Sequence, residues 1–201
     1  SEKDYQKFLL ERLSQDNGYV IRKAANFDRR FAVDREMLFK FLNDTQPDTM
    51  EYLRKIYKDD LEDTIVSFIN AETTKARGSL IEVLKHGIEI SNQKLELMYT
   101  KPATTFNQKA EALYQQNVLS VMEEVWHKEG ERIDLVIFLN GIAIFTFELK
   151  CNTSGQNYED AIRQYKFERD CKTRLLKFKA GCLAHFAMDL NEVYMCTNLK
   201  G

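Results

Sequence analysis

Proline and glycine are scarce, with two and eight in 201 residues. That excludes collagen-like, Pro-rich and low-complexity chains, and no internal repeat appears. An excess of one charge is also missing. Twenty-nine Lys and Arg stand against thirty-one Asp and Glu, a formal net charge of -2, which excludes a protein held to nucleic acid by bulk charge. No apolar run approaches the roughly 18 residues of a membrane-spanning helix, and Ser1 to Leu10 alternates charge with aromatics instead of forming a signal segment. A cytoplasmic protein without a membrane partner is expected. The four cysteines, Cys151, Cys171, Cys182 and Cys196, lie in the last quarter without a CxxC pair, so neither a zinc ribbon nor a disulfide framework is indicated and reduced thiols are expected. His86, His127 and His185 are isolated, which argues against a His-metal site. GxxxxGK[ST] and GxGxxG turns are absent, so nothing binds ATP or a dinucleotide through those devices. What remains, 44% hydrophobic, can bury one core of ordinary size, and a single domain over 1–201 is expected.

The first half, 1–86, reads as helix after helix. Tyr5, Phe8, Leu9 and Leu13 have helical spacing, and Asn17-Gly18 stops that helix before a short strand at Tyr19-Val20-Ile21. Asp34 can cap a helix carrying Met37, Leu38, Phe41 and Leu42. Asp48 with Glu51, and Asp59 with Glu62, have capping-box spacing, opening helices expected to bury Met50, Leu53 and Ile56, then Ile65, Val66, Phe68 and Ile69. Gly78 ends that run, and Ser79 to Lys85 is a short helix. Ile88 to Ile90 and Leu95 to Tyr99 read as a hairpin turning through Ser91 to Lys94. Thr105 with Gln108 can open another helix, and Trp126 is expected in the core.

From about 87 to 199 the pattern becomes that of a sheet. Val118 to Trp126 reads as a strand, and Ile133 to Leu139 and Ile142 to Leu149 are near-continuous apolar runs joined at Asn140-Gly141, a strong hairpin signal. Apolar residues at both parities imply a sheet covered on both faces, hence an α/β layer. Tyr158 to Arg169 reads as a helix, and Cys182 to Met188 with Val193 to Thr197 as a second hairpin.

Charges are rare inside such strands, yet Asp134, Glu148 and Lys150 stand in the central hairpin. Residues i and i+2 share a face, so Glu148 and Lys150 do. Two carboxylates can hold Mg²⁺ while a lysine orients or deprotonates the attacking water. The plain alternative is a strand-end ion pair. Register decides where Asp134 points. A two-residue turn pairs Leu139 with Ile142 and Asp134 with Phe147, facing Asp134 away from Glu148. A three-residue loop with a bulge at Gly141 pairs Phe138 with Ile142 and sets Asp134 opposite Thr146, on the face of Glu148 and Lys150. A metal site therefore predicts a bulge or odd loop somewhere in this hairpin.

The string from Ile133-Asp134-Leu135 through Asn140-Gly141-Ile142, then Phe147-Glu148-Leu149-Lys150, then Asp160-Ala161-Ile162-Arg163-Gln164-Tyr165, resembles the N-terminal endonuclease domain of type I restriction enzyme R subunits. That family is part of the PD-(D/E)XK nuclease superfamily; Ile133 stands in place of its proline. The resemblance spans essentially the whole chain, most strongly Asn117 to Thr197. It implies a restriction-endonuclease-like mixed sheet flanked by helices, with a helical N-terminal part. It further implies that Asp134 and Glu148 bind Mg²⁺, for which Mn²⁺ can substitute, with the Leu149 carbonyl as a further ligand, and that Lys150 serves the water or the phosphate. Gln164 matches the glutamine of a QxxxY motif whose tyrosine position holds Glu168, while Tyr165 follows the glutamine directly. Arg163 and Lys166, from the basic segment that follows Lys150, are candidate DNA contacts, with an ordinary solvated face as their plain reading. Glu2, with Glu11 competing, matches the supporting acidic residue of the first helix; its plain reading is a solvated charge at a frayed terminus. Independently, Lys150 to Ala180 carries eight basic residues against four acidic ones, a place for phosphate contacts.

The resemblance implies double-stranded DNA as substrate, with methylation and specificity subunits as partners. ATP and S-adenosylmethionine would serve only the full multisubunit enzyme, and the end at Leu199-Lys200-Gly201 suggests a fragment of a larger subunit. The alternatives from other classes are a catalytically silent DNA-binding or assembly module and an unrelated interaction domain.

Overall fold

The structure, a computed structural model, describes residues 1–104, 106–151 and 155–199. Helix α1 (Glu2–Asn17) opens on a Ser1–Asp4 capping box and closes on Gly18 in the left-handed conformation, as the Asn17-Gly18 signal predicts. Strand β1 (Val20–Arg22) follows, then β2 (Phe27–Asp28), β3 (Val33–Asp34) and the helices α2 (Arg35–Thr45), α3 (Pro47–Tyr57), α4 (Leu61–Thr74) and α5 (Leu80–His86). A small hairpin, β4 (Ile88–Ile90) and β5 (Gln93–Leu95), and helix α6 (Gln108–Tyr114) lead into the central strands β6 (Leu119–Lys128), β7 (Glu131–Leu139) and β8 (Ile142–Leu149). Helix α7 (Tyr158–Arg163) runs into a π-helical turn over Gln164–Glu168, and β9 (Ala184–Met188) and β10 (Val193–Cys196) finish the sheet.

The sheet order is β1-β6-β7-β8, and β8 shares its far edge between β3 at its start and β9 at its end. The β1–β6 and β8–β9 pairs are parallel and the others antiparallel, giving the expected mixed sheet with a helical N-terminal part. Both faces are covered. Leu135, Ile137, Ile142 and Ile144 pack under α2 to α5 with Leu38, Leu42, Leu53, Ile65 and Leu80, while Met122, Val136, Phe138 and Ala143 pack against Ala161, Tyr165, Leu175 and Leu176. At about 1.5–3 kcal/mol per buried large aliphatic side chain, these two layers are the main stabilising contribution. No disulfide joins the four cysteines, and no helix among the described residues is long and apolar enough to cross a membrane.

Several local expectations yield to tertiary contacts. Asp48 does not cap α3: Pro47 takes the first helical position, and the Gln46 side chain instead bonds the backbone of Glu96 at 2.9 and 2.7 Å. Asp59 falls in a 3-10 turn, Lys58–Asp60, before α4. Ile56 and Phe68 stand at the rims of their helical stripes and are exposed. The β4–β5 turn is only Ser91-Asn92, both at positive φ, so the second strand starts at Gln93. Thr105 lies outside the described residues, and Asn107 caps α6. Trp126 is half exposed with the Arg132 guanidinium over its ring, because this end of β6 runs beyond the helical cover.

Two anchors hold the sheet's centre. Asp34, fully buried, caps α2 through the Met37 N–H and accepts both Nε and Nη2 of Arg22 from β1, at 2.7 and 3.3 Å. The Asn140-Gly141 turn is buried: the Asn140 side chain accepts the Val118 N–H and donates to Leu97 O and Asn117 Oδ1, and Gly141 O accepts the Asp34 N–H. At Gly141 (φ 79) a Cβ would stand 2.5 Å from both Asp34 O and Leu38 N. Left-handed strain plus backbone overlap makes Gly141→Ala expected to cost about 2–5 kcal/mol in urea unfolding; a loss below ~1 kcal/mol would mean that the turn is not held as described.

Candidate active site

The β7–β8 hairpin resolves the register question in an unforeseen way. The turn is two residues, and Leu139 pairs with Ile142 and Phe138 with Ala143. The register then slips: Ile137 pairs with Phe145, Val136 with Thr146 and Leu135 with Phe147. Neither the regular two-residue register nor the three-residue loop, with Phe138 opposite Ile142 and Asp134 opposite Thr146, is what forms. The bulge that a metal site demands is present, but it lies at Ile144, two residues into β8. Ile144 and Phe145 both pack toward α2 to α5, so Thr146 turns to the opposite layer and Glu148 follows it. The slipped register, continued one pair, sets Asp134 against Glu148.

Both ladders open around Asp134. The β7–β8 pairing stops at Leu135–Phe147, and the Asp134 carboxylate takes a ladder acceptor's place, receiving the Leu149 N–H at 2.7 Å. On the other side, no pair forms between Glu123–Leu135 and Val125–Ile133, where Glu124 is left-handed at φ 58. A non-glycine residue held there costs about 1–3 kcal/mol, strain of the kind that gathers at functional sites.

Glu148 is fully buried. Its Oε1 accepts Arg169 Nε at 2.7 Å, and among the described residues no donor reaches its Oε2. Burial pushes the Glu148 carboxyl up to about 8; the Asp134 charge adds to the push and Arg169 opposes it. Asp134 is raised as well, by burial first, against the Leu149 N–H and Lys150. Lys150, buried beyond the end of β8, has its Nζ 3.5 Å from Glu2 Oε2. The frayed-terminus reading of Glu2 is thus corrected: the capped N-terminus of α1 brings it to the site. Glu11, the competing candidate, is exposed with Lys7 at 4.0 Å.

Behind the carboxylates, Thr146 Oγ1 lies 2.9 Å from Tyr165 OH and 2.7 Å from His185 Nδ1, a buried network that fixes this end of β8 against the π turn. Gln164 opens that turn with its Oε1 buried and unpartnered, and Glu168, in the tyrosine position of QxxxY, is exposed. Arg163 and Lys166 are exposed beside it. The basic segment is not uniformly a solvated face. Arg169 turns in to Glu148, and Arg174 is inside, hydrogen-bonded to Thr73 Oγ1 at 3.2 Å and to the Ala180 carbonyl, because the 170–183 loop folds over the sheet.

Among the described residues, no group of three or more His, Cys, Asp or Glu is placed to hold a metal ion. The Asp134–Glu148 pair nevertheless suits a hard divalent cation that keeps water and a phosphate in its shell. A buried, partnerless carboxylate oxygen beside a second carboxylate, both raised in pKa, is a site that a cation would relieve. Asp134, Glu148 and Lys150 were legible in the sequence. Arg169 and His185 were not: each is single in its segment, and Arg169 was only one of eight basic residues.

The family model described as Type I restriction enzyme R protein N terminus matches residues 1–201. The chain belongs to that family. No curated protein matches at a significant level. In this type I R protein N-terminal region, the mixed sheet flanked by helices is consistent with a nuclease-like core, and Asp134, Glu148 and Lys150 converge at the open end of its central hairpin.

Proposed function

We propose that this type I R protein N-terminal region is a metal-dependent DNA endonuclease domain, cutting phosphodiester bonds of double-stranded, unmodified DNA. The observation that carries the reading is the Ile144 bulge, which sets Glu148 with its free Oε2 against Asp134 and leaves Lys150 beside them. Asp134 and Glu148, with the Leu149 carbonyl, would hold Mg²⁺. When bound, the ion supplies charge neutralisation at the phosphate and lowers the pKa of the attacking water. Lys150, held by Glu2, orients that water or takes its proton, and its charge favours the transition state over the ground state. Gln164 and the exposed Arg163 and Lys166 lie where the DNA backbone would run, with Tyr165 bracing β8 behind.

Recognition and cutting would take place in a complex with methylation and specificity subunits. ATP and S-adenosylmethionine would act on parts of that complex outside this chain. A catalytically silent module is the second reading, and the Arg169–Glu148 ion pair is the observation that favours it.

Water-proton relaxation with Mn²⁺, in the presence of a short duplex, separates the two. Binding to the wild-type chain that falls at least about tenfold in both Asp134→Asn and Glu148→Gln is expected, since each removes a charge facing the cation. Equal binding in all three proteins would leave the silent module.

A further inference from the structure

We infer that Arg169 couples cation capture at the Asp134–Glu148 pair to the arrival of a DNA phosphate. This rests on the metal reading above and concerns a residue that no part of the sequence motif contains. Arg169 follows the π turn, its side chain is mostly buried, and its Nε occupies Oε1 at 2.7 Å while Nη1 reaches the Glu168 carbonyl at 3.4 Å. Glu148 is thereby divided, with one oxygen held by a fixed cation and the other left without a partner.

The charge balance gives the division its consequence. With all three carboxylates ionised, as a bound cation would hold them, Asp134, Glu148 and Glu2 face two cationic groups, Lys150 and Arg169, a formal balance of one negative charge. A divalent ion entering there meets two fixed positive charges and is under-neutralised. A phosphodiester supplies the missing negative charge, so the ion and the DNA are taken up together. Removing the guanidinium should let the ion bind to the carboxylates alone.

A purely structural Arg169, one that only steadies a buried carboxylate, predicts the opposite sign. Without it Glu148 would be less available as an anion, and cation binding would weaken with or without DNA.

The test compares Mn²⁺ affinity, by water-proton relaxation, with and without a short duplex, for wild type, Arg169→Gln, Arg169→Lys and Glu148→Gln, with the duplex alone as reference. Wild type is expected to gain about tenfold or more in affinity from DNA. Arg169→Gln should bind Mn²⁺ about tenfold tighter than wild type in the absence of DNA and lose most of the DNA-dependent gain. Arg169→Lys, which keeps the charge, should restore it, and thermal melts identify any variant that fails to fold. Weaker binding by Arg169→Gln, or an unchanged DNA-dependent gain, overturns the coupling. Loss of binding in Glu148→Gln alongside either result leaves the metal reading standing, whereas wild-type affinity in Glu148→Gln overturns that reading itself.

Discussion

Lys150→Met is expected to reduce DNA cleavage by the assembled restriction enzyme by on the order of 10²–10⁴-fold while Mn²⁺ binding is kept or tightened and the melting temperature stays close to wild type. The Lys150 ammonium is nearly buried, and its side-chain partner among the described residues is Glu2 at 3.5 Å, longer than a good charged hydrogen bond. Little folding energy therefore depends on it. Methionine keeps the length and the packing of the stem and removes only the charge and the proton. The proposed cation site, made of Asp134 and Glu148, stays whole, and losing a neighbouring positive charge makes it more attractive to the ion. The result thus separates holding the metal from using it. A variant that cuts like wild type would remove Lys150 from the chemistry, and one that melts much lower would make Lys150–Glu2 a structural tie.

The second large effect is on stability in acid. His127 and His185 are buried, bonded through Nδ1 to Thr173 Oγ1 at 3.0 Å and Thr146 Oγ1 at 2.7 Å, and both Nε2 atoms lack a hydrogen-bond partner. Burial pushes each imidazole down from 6.5 to about 4. His127 Nε2 is 3.5 Å from Glu131, but a ring kept neutral at pH 7 forms no ion pair there. The folded pKa values are depressed, so in the window from 6.5 down to about 4 the unfolded chain binds more protons than the folded one. Stability from these histidines is complete above pH 6.5 and is lost as pH falls through that window, by up to about 3 kcal/mol each.

Glu148 works in the other direction. With its carboxyl raised, the folded chain holds the extra proton between about 4.5 and 8, and acidification there stabilises it. The sum over all groups therefore hides the histidines, and the quantity to measure is the difference between variant and wild type. His127→Gln and His185→Gln, unfolded in urea at pH 7 and pH 4.5, are each expected to gain roughly 2–3 kcal/mol relative to wild type on going to the lower pH. Parallel curves for variant and wild type would mean that the imidazoles are already protonated, or reach water, in the folded protein.

Much of the architecture was legible because it rests on local chemistry. The Gly18 stop of α1, the Asp34 cap of α2, the Asn140-Gly141 turn and the apolar runs of β7 and β8 depend on backbone geometry within a few residues. The misplaced caps at Asp48 and Asp59 show the limit of that reasoning. A carboxylate at the right spacing caps a helix only if no better arrangement exists, and Gln46 found one in the backbone of Glu96, fifty residues away.

The sequence by itself determined the candidates for the proposed site: Asp134, Glu148 and Lys150 on adjacent strands, charges that are costly to keep in a doubly covered sheet. It also tied a metal site to an irregular hairpin, since strict alternation from a two-residue turn would face Asp134 away from Glu148. Where that irregularity falls was decided only by tertiary structure. The turn is pinned by Val118, Leu97 and Asp34 from three other segments, so the extra residue cannot sit there and is taken up at Ile144, where the helical layer has room for Ile144 and Phe145 side by side. Arg169 on Glu148 and Glu2 beside Lys150 were decided in the same way. Contacts across 21 and 148 residues of chain leave no periodicity in sequence, because they are set by where whole elements pack and not by the conformation of the residues between them.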